Sequence, residues 1–523
     1  MKRSKAGGRK AGTRRTSGRR KYARRKASQP APARRGRRAG VTLEAASLEL
    51  GSHAPESSTL LVDIHCHVFS GRDIPLFEFL HFGRGIPKPI AYMVQWLITH
   101  PSQDTPANRE RAKQVAISET GGAQSDFQEA EDRGLLGRFF AYADLMGRPV
   151  KSIAASMVDT YKDVQLFTPA MVDMDCWLGD ASFYDDRVQD HAELALSKDK
   201  DRRGRIHPIV GFDPVRQHAT RTVFGEGQDH LAQVERAVEE QGFVGVKVYP
   251  PMGFRATRND WVYPAGSIVS RPNLAPVACK LAPDATSKPV SMTGADLDRA
   301  MLQLFDYCIA EDVPVMAHCT SHGAEAAKGR GYNADARFWK HLLTMDGGRF
   351  AELRLNLSHV GGDSHRPSFL DGVLELMVTF PNVYADVGAH ALVWEDGEQY
   401  RESFSYELIS ALEEDRDWTR RVMLGSDWHT IYVEASPSIY LHKYMEFFDE
   451  LSADIDTQSR RIGKQLSQDD DPTRRANFRG LSAMRFLGLD RDHLDSKARQ
   501  RLEAFYLDNG IFTLKNGDQP PWW

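Results

Sequence analysis

The sequence predicts an α/β protein built as a (β/α)8 TIM barrel, and three observations lead to this fold class. Short apolar runs bounded by turn residues recur along the chain, a segment with helical periodicity follows each run, and polar residues stand where each run ends. The eight runs are 60–69, 166–175, 206–216, 243–251, 313–323, 353–362, 383–390 and 422–430.

These runs are continuous stretches of Val, Ile, Leu and Met, which is typical of strands buried on both faces of a parallel sheet. Eight strand–helix units predict a barrel in which the polar carboxyl ends of the strands meet at one mouth. The alternative is an open doubly wound sheet, but the sequence has no G-x-G-x-x-G turn to favour it.

The composition sets broad limits. With 523 residues and 41% hydrophobic content, the chain can bury a large core. The longest apolar candidate, 90–98, is about half the ~18 residues that a membrane span requires. Five scattered cysteines without a C-x-x-C pair argue against a disulfide framework or zinc knuckle. We therefore expect a soluble, cytoplasmic protein in a reducing compartment.

Charge is distributed unevenly along the chain. Residues 1–40 hold 17 of the 68 Lys and Arg residues and no acidic residue, which leaves a formal charge of −20 on the remainder. The tail has no hydrophobic periodicity, so we expect it to be disordered. It either attracts nucleic acid through counterion release or is a dispensable extension. A linker at 41–59 then leads to the barrel at 60–523.

Two stretches are too long for ordinary connections between a strand and its helix. Residues 71–160 follow the first strand and include the helical pattern DRGLLGRFFAYADLM, while 252–296 form a Pro-rich loop after the fourth. Both leave from the mouth side, so they could be lids over a pocket. Alternatively, one of them builds an oligomer interface.

The first strand carries the chemistry that is easiest to interpret. Because side chains alternate along a strand, His65 and His67 in VDIHCHVF point to the same side. Two imidazoles hold a divalent ion weakly, and Zn²⁺ requires at least one further ligand and an open position for catalysis. Later strands offer His318, His359 and Asp427, each at the point where an apolar run ends.

At this point the chain resembles the amidohydrolase superfamily, in the amidohydrolase-related branch that includes aminocarboxymuconate semialdehyde decarboxylase-like enzymes. The resemblance covers residues 60 to 490. It depends on the segments DIHCHVF, GVKVYPPMGF, AHCTSHG, LSHVGG, GSDW and NFRGLSAMRFLGL. The last segment resembles the closing helix of the family, but Ser482 stands where Asn is common, a difference that should affect packing more than catalysis.

The resemblance implies one divalent metal ion, most often Zn²⁺, bound by His65, His67, His318 and Asp427 with a water in the open position. Asp427 would also accept a proton from that water. His359 would lie beside the substrate as a general acid or as the group that polarises a carbonyl.

Lys247 on the fourth strand has more than one interpretation. In the wider superfamily such a lysine can be carboxylated and bridge two metal ions, whereas the G-x-K-x-x-P context favours a single ion. Lys247 could instead contact substrate, or form an ion pair with Asp173 or Asp175.

Arg216 and Arg255, just past the third and fourth strands, could bind a substrate carboxylate through their guanidinium groups, or could simply be solvated. Cys66 and Cys319 alternate with the expected ligands, which favours core packing. Roles next to the substrate are weaker interpretations for His322, Asp386, His390 and His429.

The sequence therefore predicts a metal-dependent hydrolase that cleaves an amide, lactone or related C–N or C–O bond of a small, carboxylated substrate. Non-oxidative decarboxylation of an aromatic or semialdehyde acid is the first alternative. The second is a catalytically idle binding module whose tail binds nucleic acid. The family resemblance implies a homodimer.

Overall fold

The computed structural model describes most of the chain from residue 60 onward. The described residues are 60–78, 80–81, 86–99, 106–123, 125, 127, 135–178, 184–263, 292–321, 323–327, 329–362, 369–389, 398–430, 437–490, 495–515 and 517–523. The predicted tail and linker lie outside them.

Within the described residues, eight strands form where the apolar runs predict them. They are β1 (Val62–Cys66), β2 (Leu166–Pro169), β3 (Ile209–Phe212), β4 (Gly245–Val248), β5 (Val315–His318), β6 (Leu355–Ser358), β7 (Val383–Asp386) and β8 (Val422–Met423). Every residue of every strand is buried. This is the pattern expected for strands covered on both faces.

The strands pair in parallel and in sequence order. β1 pairs with β2, and β3 to β8 form a six-stranded sheet in which each strand pairs with the next. Isolated parallel bridges join Ala170, just past β2, to Ile209 and join Cys66 to Trp428. The predicted α/β class with parallel strands is confirmed.

Helices separate the strands, as the periodicity predicts. The α-helices are Leu76–Glu78, Lys88–Thr99, Pro106–Thr120, Leu135–Met146, Val150–Thr160, Asp175–Leu178, Tyr184–Ala195, Pro214–Phe224, His230–Glu240, Asn259–Val262, Gly294–Ala310, Ala336–Thr344, Leu370–Thr379, Glu398–Glu413, Pro437–Ile462, Asp471–Ala476, Ser482–Leu487 and Lys497–Asp508. Short turns of 3₁₀-helix occupy Pro250–Met252, Arg330–Ala334, Met345–Gly347 and His359–Gly361, and a π-helical turn occupies Asn477–Leu481.

The stretch predicted as an insertion after β1 is helical. The apolar pattern DRGLLGRFFAYADLM forms the helix Leu135–Met146, which packs on Lys88–Thr99. Of the second predicted insertion, 264–291 lies outside the described residues. In the part of the chain that the structure describes, no helix is both long enough and apolar enough to cross a membrane.

The carboxyl-terminal segment packs beside β8, which agrees with a closing role. Ser482 is buried, and its Oγ donates to the carbonyl of Arg420, 2.7 Å away, just before β8. The residue that departs from the family pattern thus acts in packing. The cysteines give a correction: Cys66, Cys308 and Cys319 are free and buried, but Cys176 is disulfide-bonded, which the scattered spacing did not predict.

Candidate metal centre

His65, in β1, and His67, just past it, are both buried, and each is held through Nδ1. His65 Nδ1 lies 2.9 Å from Asp386 Oδ1, and His67 Nδ1 lies 2.7 Å from the carbonyl oxygen of Ala170. A carboxylate and a carbonyl only accept hydrogen bonds, so both Nδ1 atoms carry the proton. In a neutral ring this leaves the lone pair on Nε2, the form in which histidine binds a metal.

Asp427 brings an oxygen to both of these nitrogens. Its Oδ1 lies 3.0 Å from His67 Nε2 and 3.8 Å from His65 Nε2. One ligand atom from each of the three residues lies within 4.8 Å of the other two, and all three residues are buried. Two imidazoles and a carboxylate are a donor set that suits Zn²⁺ and similar divalent ions. The residues present therefore fit a metal site.

His318 occupies a different position from the one that the resemblance implies. Among the described residues it joins no group of three ligand atoms within 4.8 Å, and its Nδ1 lies 3.0 Å from His359 Nε2. Its ring also lies 4.4 Å from the ring of Tyr249, between centroids. The structure thus brings together three of the four predicted ligands and places His318 beside His359.

His359 is also held in one tautomer. Its Nδ1 lies 2.6 Å from the carbonyl oxygen of Gly388, so Nδ1 carries the proton. Burial, and to a lesser degree nearby His65, lowers the pKa of His359 to about 3. The neutral ring accepts at Nε2 from His318 Nδ1–H. This arrangement leaves the Nε2 lone pair of His318 unprotonated.

Asp386 connects several parts of the site. Its Oδ1 accepts from His65 Nδ1 and from the backbone N–H groups of Gly388 (2.9 Å) and His359 (3.3 Å). Its Oδ2 accepts from Asn356 Nδ2 at 2.6 Å. Burial raises the pKa of Asp386, but His65 outweighs burial and keeps the pKa well below its usual range. Asp386 thus orients a candidate ligand, whereas the sequence suggested only a role beside substrate.

A second carboxylate, Asp63, holds the end of β8 in place. Ser426 donates to Asp63 from its backbone N–H (2.9 Å) and from Oγ (2.6 Å), and Ser426 Oγ accepts from the N–H of Trp428. Asp427 lies between these two residues with a positive φ of 51°, a conformation that is costly for a non-glycine residue. Sequence reasoning missed Asp63, although strand periodicity places it on the same side as His65 and His67.

Charge on Asp427 is also stabilised locally. Its Oδ2 accepts from Thr430 Oγ1 at 2.6 Å, and its backbone N–H donates to the carbonyl of His65 at 2.7 Å. Burial raises the pKa of Asp427, but His67 and His65 outweigh this effect and lower it well below the usual range. Asp427 is therefore a carboxylate, the form that a metal ligand or proton acceptor requires.

Lys247 points into the same site. Its Nζ lies 3.3 Å from His65 Nε2 and 3.4 Å from Ser358 Oγ. Burial lowers its pKa to about 8, although Asp386 and Asp427 oppose this shift. The ion pair with Asp173 or Asp175 that the sequence allowed does not form, because those carboxylates bind arginines instead.

Arg216 is buried in an ionic cluster and does not face open space. Its Nε and Nη2 lie 2.5 and 2.9 Å from the two carboxylate oxygens of Asp173, and Nη2 lies 2.7 Å from Asp175 Oδ2. Arg187 binds Asp175 as well. With both carboxylates engaged and only 2% of Arg216 exposed, the geometry favours a structural ion pair over the predicted contact with a substrate carboxylate.

Arg255 is half-buried on the segment that follows β4. Its guanidinium carbon lies 4.0 Å from the centre of the Phe338 ring, and its Nε donates to Asn333 Oδ1 at 3.0 Å. Unlike Arg216, it forms no ion pair with any residue that the structure describes. Its predicted contact with a substrate anion therefore stays open.

The remaining candidate residues are two cysteines and three histidines, and the structure describes three of these five side chains. Burial raises the pKa of both the Cys66 and the Cys319 thiols well above the usual value, which agrees with packing and not with nucleophilic catalysis. His429 is buried against the ring of Phe69, with 4.5 Å between centroids. His322 and His390 lie outside the described residues.

The sequence of the chain matches one family model over most of its length. Residues 62–488 match the amidohydrolase family, and the chain belongs to this family of metal-dependent enzymes. A search of the curated proteins found no match.

Several solved structures are similar to the chain at low sequence identity. A 5-carboxyvanillate decarboxylase from Sphingomonas paucimobilis is 11% identical with a TM-score of 0.38, over 82% of this chain and 99% of that one. A probable 2-pyrone-4,6-dicarboxylic acid hydrolase from Acinetobacter baumannii is 9% identical with a TM-score of 0.35, over 64% and 88%. An amidohydrolase from Burkholderia multivorans with bound zinc is 15% identical with a TM-score of 0.34, over 65% and 88%.

Proposed function

We propose that the chain is a metal-dependent hydrolase that cleaves an amide, lactone or related C–N or C–O bond of a small, carboxylated molecule. The observation that carries this proposal is the group formed by His65, His67 and Asp427. Both histidines present unprotonated Nε2 atoms to one carboxylate oxygen, and the hydrogen bonds on their Nδ1 atoms hold them in that orientation.

The proposal includes a closed (β/α)8 barrel. It is supported by contacts at both junctions between the two sheets: Met171 N–H donates to Ile209 O across β2 and β3, and Ile64 N–H donates to Leu424 O across β1 and β8. Closure would place the ends of all eight strands around one mouth. The barrel would span residues 60–523, after a basic tail at 1–40 and a linker at 41–59.

One divalent ion, most often Zn²⁺ in such donor sets, would act as a Lewis acid and lower the pKa of a bound water. Asp427 would accept a proton at the carboxylate that Thr430 Oγ1 orients. His359, predicted as a general acid or as the group that polarises a carbonyl, carries no proton on Nε2 in this arrangement, so either role would require that it first gain one there. Asp386 would keep His65 in its metal-binding tautomer.

The proposal includes His318 as a fourth metal ligand. In the described tautomers its Nε2 is free of a proton, as a fourth ligand requires, although the ring now contacts His359 and Tyr249. Metal analysis of two variants separates the possibilities. His318→Ala should lower metal content if His318 is a ligand, whereas His359→Ala should leave metal content unchanged and reduce turnover.

Metal content tests the centre itself. We expect about one ion per chain in the purified protein, and loss of that ion in His67→Ala and Asp427→Asn. A ratio close to two would instead indicate a second ion bridged by a carboxylated Lys247. Full metal occupancy in both variants would refute the proposed site.

The reaction is tested by isotope labelling during a screen of lactones, amides and aromatic carboxylic acids. Hydrolysis incorporates one ¹⁸O atom from labelled water into the product acid, whereas the rival reaction, decarboxylation, releases CO₂ and protonates carbon. The third hypothesis, an idle barrel with a nucleic-acid-binding tail, requires that no compound is turned over. It also requires that deletion of residues 1–40 abolishes salt-sensitive binding to nucleic acid.

The cytoplasmic location and the homodimer both stay predictions. Sedimentation of the purified chain at several concentrations tests the dimer. Neither affects the assignment of the metal ligands.

A further inference from the structure

A group of nitrogen donors lies outside the metal centre, on the segments that follow β4 and β5. We call Arg255, Arg330 and Asn333 the Arg255 cluster. Arg255 follows the turn Pro250–Met252, and the other two belong to the turn Arg330–Ala334, which packs against it. Tyr249, directly before the first turn, packs its ring on His318. The cluster therefore lies on the same side of the sheet as the candidate metal ligands.

Among the described residues, the two arginines of the cluster have no carboxylate partner within ion-pair distance. Neither Arg255 nor Arg330 forms an ion pair with a described residue; Arg255 stacks on Phe338 and Arg330 lies over the Tyr263 ring, 5.4 Å from its centre. Their positive charges remain close together: burial lowers the pKa of Arg255, and the charges of Arg330 and Arg337 lower it further. Asp335 opposes this shift, but it is paired with Arg337, and the remaining excess of positive charge favours the binding of an anion.

Two acidic groups beside the cluster, Asp335 and Glu325, are already engaged in other contacts. Asp335 Oδ2 lies 2.7 Å from Arg337 Nη2, and its Oδ1 caps the helix that begins at Ala336. Glu325 Oε2 accepts from the backbone N–H of Gly331 at 2.8 Å. These contacts leave the guanidinium groups of Arg255 and Arg330 available to a ligand.

Asn333 adds an independent observation. Its side chain is only 5% exposed, and its Nδ2 has no hydrogen-bond partner in the part of the chain that the structure describes. The amide orientation is set by Arg255, whose Nε can only donate and therefore requires Oδ1 of Asn333 on its side. The Nδ2 group that remains is thus a buried N–H donor beside Arg255, and buried donors are rarely left without an acceptor.

We propose that the Arg255 cluster is an oxyanion-binding site for the carboxylate or phosphate group of a small molecule. Two guanidinium groups and an amide NH₂ supply donors only, and the planar fork of arginine matches the paired oxygens of such a group. The site includes no metal ligand. This oxyanion site depends on the proposed hydrolase function only if the bound oxyanion belongs to the substrate itself.

Inorganic phosphate is the first probe, titrated at constant ionic strength and followed by calorimetry or ³¹P NMR. The titration uses the full chain carrying His67→Ala, so that phosphate bound to a metal ion does not contribute. We expect saturable binding, weakened at least tenfold by Arg255→Met and by Asn333→Leu. Arg255→Lys keeps the charge but loses the fork and the bond to Asn333, so it should weaken binding by a smaller factor.

Arg349→Met is the matched control. Arg349 is another arginine stacked on a phenylalanine, but its charge is paired with Asp306 at the surface. It should leave phosphate affinity within twofold. Equal affinity in the parent, Arg255→Met and Arg255→Lys proteins would overturn the proposal, as would an equal loss in Arg349→Met.

A second set of probes identifies the source of the oxyanion. Straight-chain dicarboxylates from malonate to suberate are titrated into the wild-type chain with and without zinc. If the cluster holds one end of the substrate, one chain length will bind more tightly with zinc than without, and Arg255→Met will abolish the difference. If the cluster takes a separate anion, all lengths will bind equally in both forms but remain sensitive to Arg255→Met. Insensitivity of every length to Arg255→Met would refute both versions.

Discussion

Replacing Asp386 by asparagine tests how the centre keeps His65 in position. In the native protein Oδ1 of Asp386 accepts from His65 Nδ1 and from two backbone N–H groups, while Oδ2 accepts from Asn356 Nδ2. An asparagine at this position has only one side-chain oxygen, which would have to accept from the three donors that Oδ1 of Asp386 serves. Its NH₂ group then faces Asn356 Nδ2, where the native contact is 2.6 Å. The substitution thus places two donors against each other in a fully buried position.

The magnitude follows from these contacts. A buried donor left without an acceptor costs about 1–3 kcal/mol of unfolding free energy. Loss of a carboxylate behind a metal-binding histidine weakens metal affinity by about 10–100-fold, equivalent to about 1.4–2.8 kcal/mol. We therefore expect Asp386→Asn to lower both the stability of the metal-free chain and its affinity for Zn²⁺.

The assay combines urea unfolding of the metal-free protein with Zn²⁺ competition against a chelator of known affinity. The control is the exchanged pair Asn356→Asp with Asp386→Asn, which restores one acceptor opposite one NH₂ group but moves the charge away from His65. Stability should recover by at least half, while Zn²⁺ affinity stays low. Native Zn²⁺ affinity in the single variant would refute the reasoning.

Three further predictions concern neighbouring contacts. Ser426→Ala removes one donor to buried Asp63, so unfolding free energy should fall by about 1–3 kcal/mol. Ser156→Ala, at a half-buried position whose side-chain hydrogen bond is exposed to solvent, should leave it nearly unchanged; equal losses would contradict this. Burial lowers the pKa of His207 to about 4. Between pH ~6.5 and pH 4 the unfolded chain therefore binds a proton at this histidine that the folded chain does not bind. The contribution of His207 to the unfolding free energy is fully present above pH ~6.5 and is lost toward pH 4, by up to ~1.4 kcal/mol per pH unit. Urea unfolding across this range should give a flatter slope for His207→Gln, and an unchanged slope would refute the link. Gly323→Ala would place a Cβ 2.6 Å from the Tyr249 hydroxyl and 3.0 Å from His318 Cε1. It should therefore lower thermal stability more than Gly347→Ala, which adds backbone strain alone because nothing lies near its Cβ; equal losses would contradict the contact.

The strands and the paired histidines could be predicted from the sequence because both depend on local periodicity. Apolar runs located all eight strands, and the alternation of side chains placed His65 and His67 on one side. The same alternation applies to Asp63, two residues earlier, so its position in the site was available from the sequence as well. What the sequence did not supply was its partner, since Ser426 lies at the other end of the chain.

Arg216 and Asp386 show why the rest of the site was harder to predict. The sequence correctly placed both residues at or just past the end of a strand. The role of each side chain, however, depends on which charged group lies next to it. Arg216 meets Asp173 and Asp175, both carried by the segment after β2, while Asp386 meets His65 on β1. Partners separated by tens to hundreds of residues leave no periodic signal, so their pairing requires the folded chain.

The contact between Asp63 and Ser426 has a consequence for how the protein is made. The candidate ligands His65 and His67 leave the ribosome early, whereas Asp427 is synthesised at least 360 residues later. Long-range strand pairing is slow, and chains fold from the amino terminus as they are made. A nascent or truncated polypeptide that ends before β8 lacks the Asp427 carboxylate, so if the three residues bind an ion together, tight metal capture reports that the chain has been made and folded as far as the end of β8.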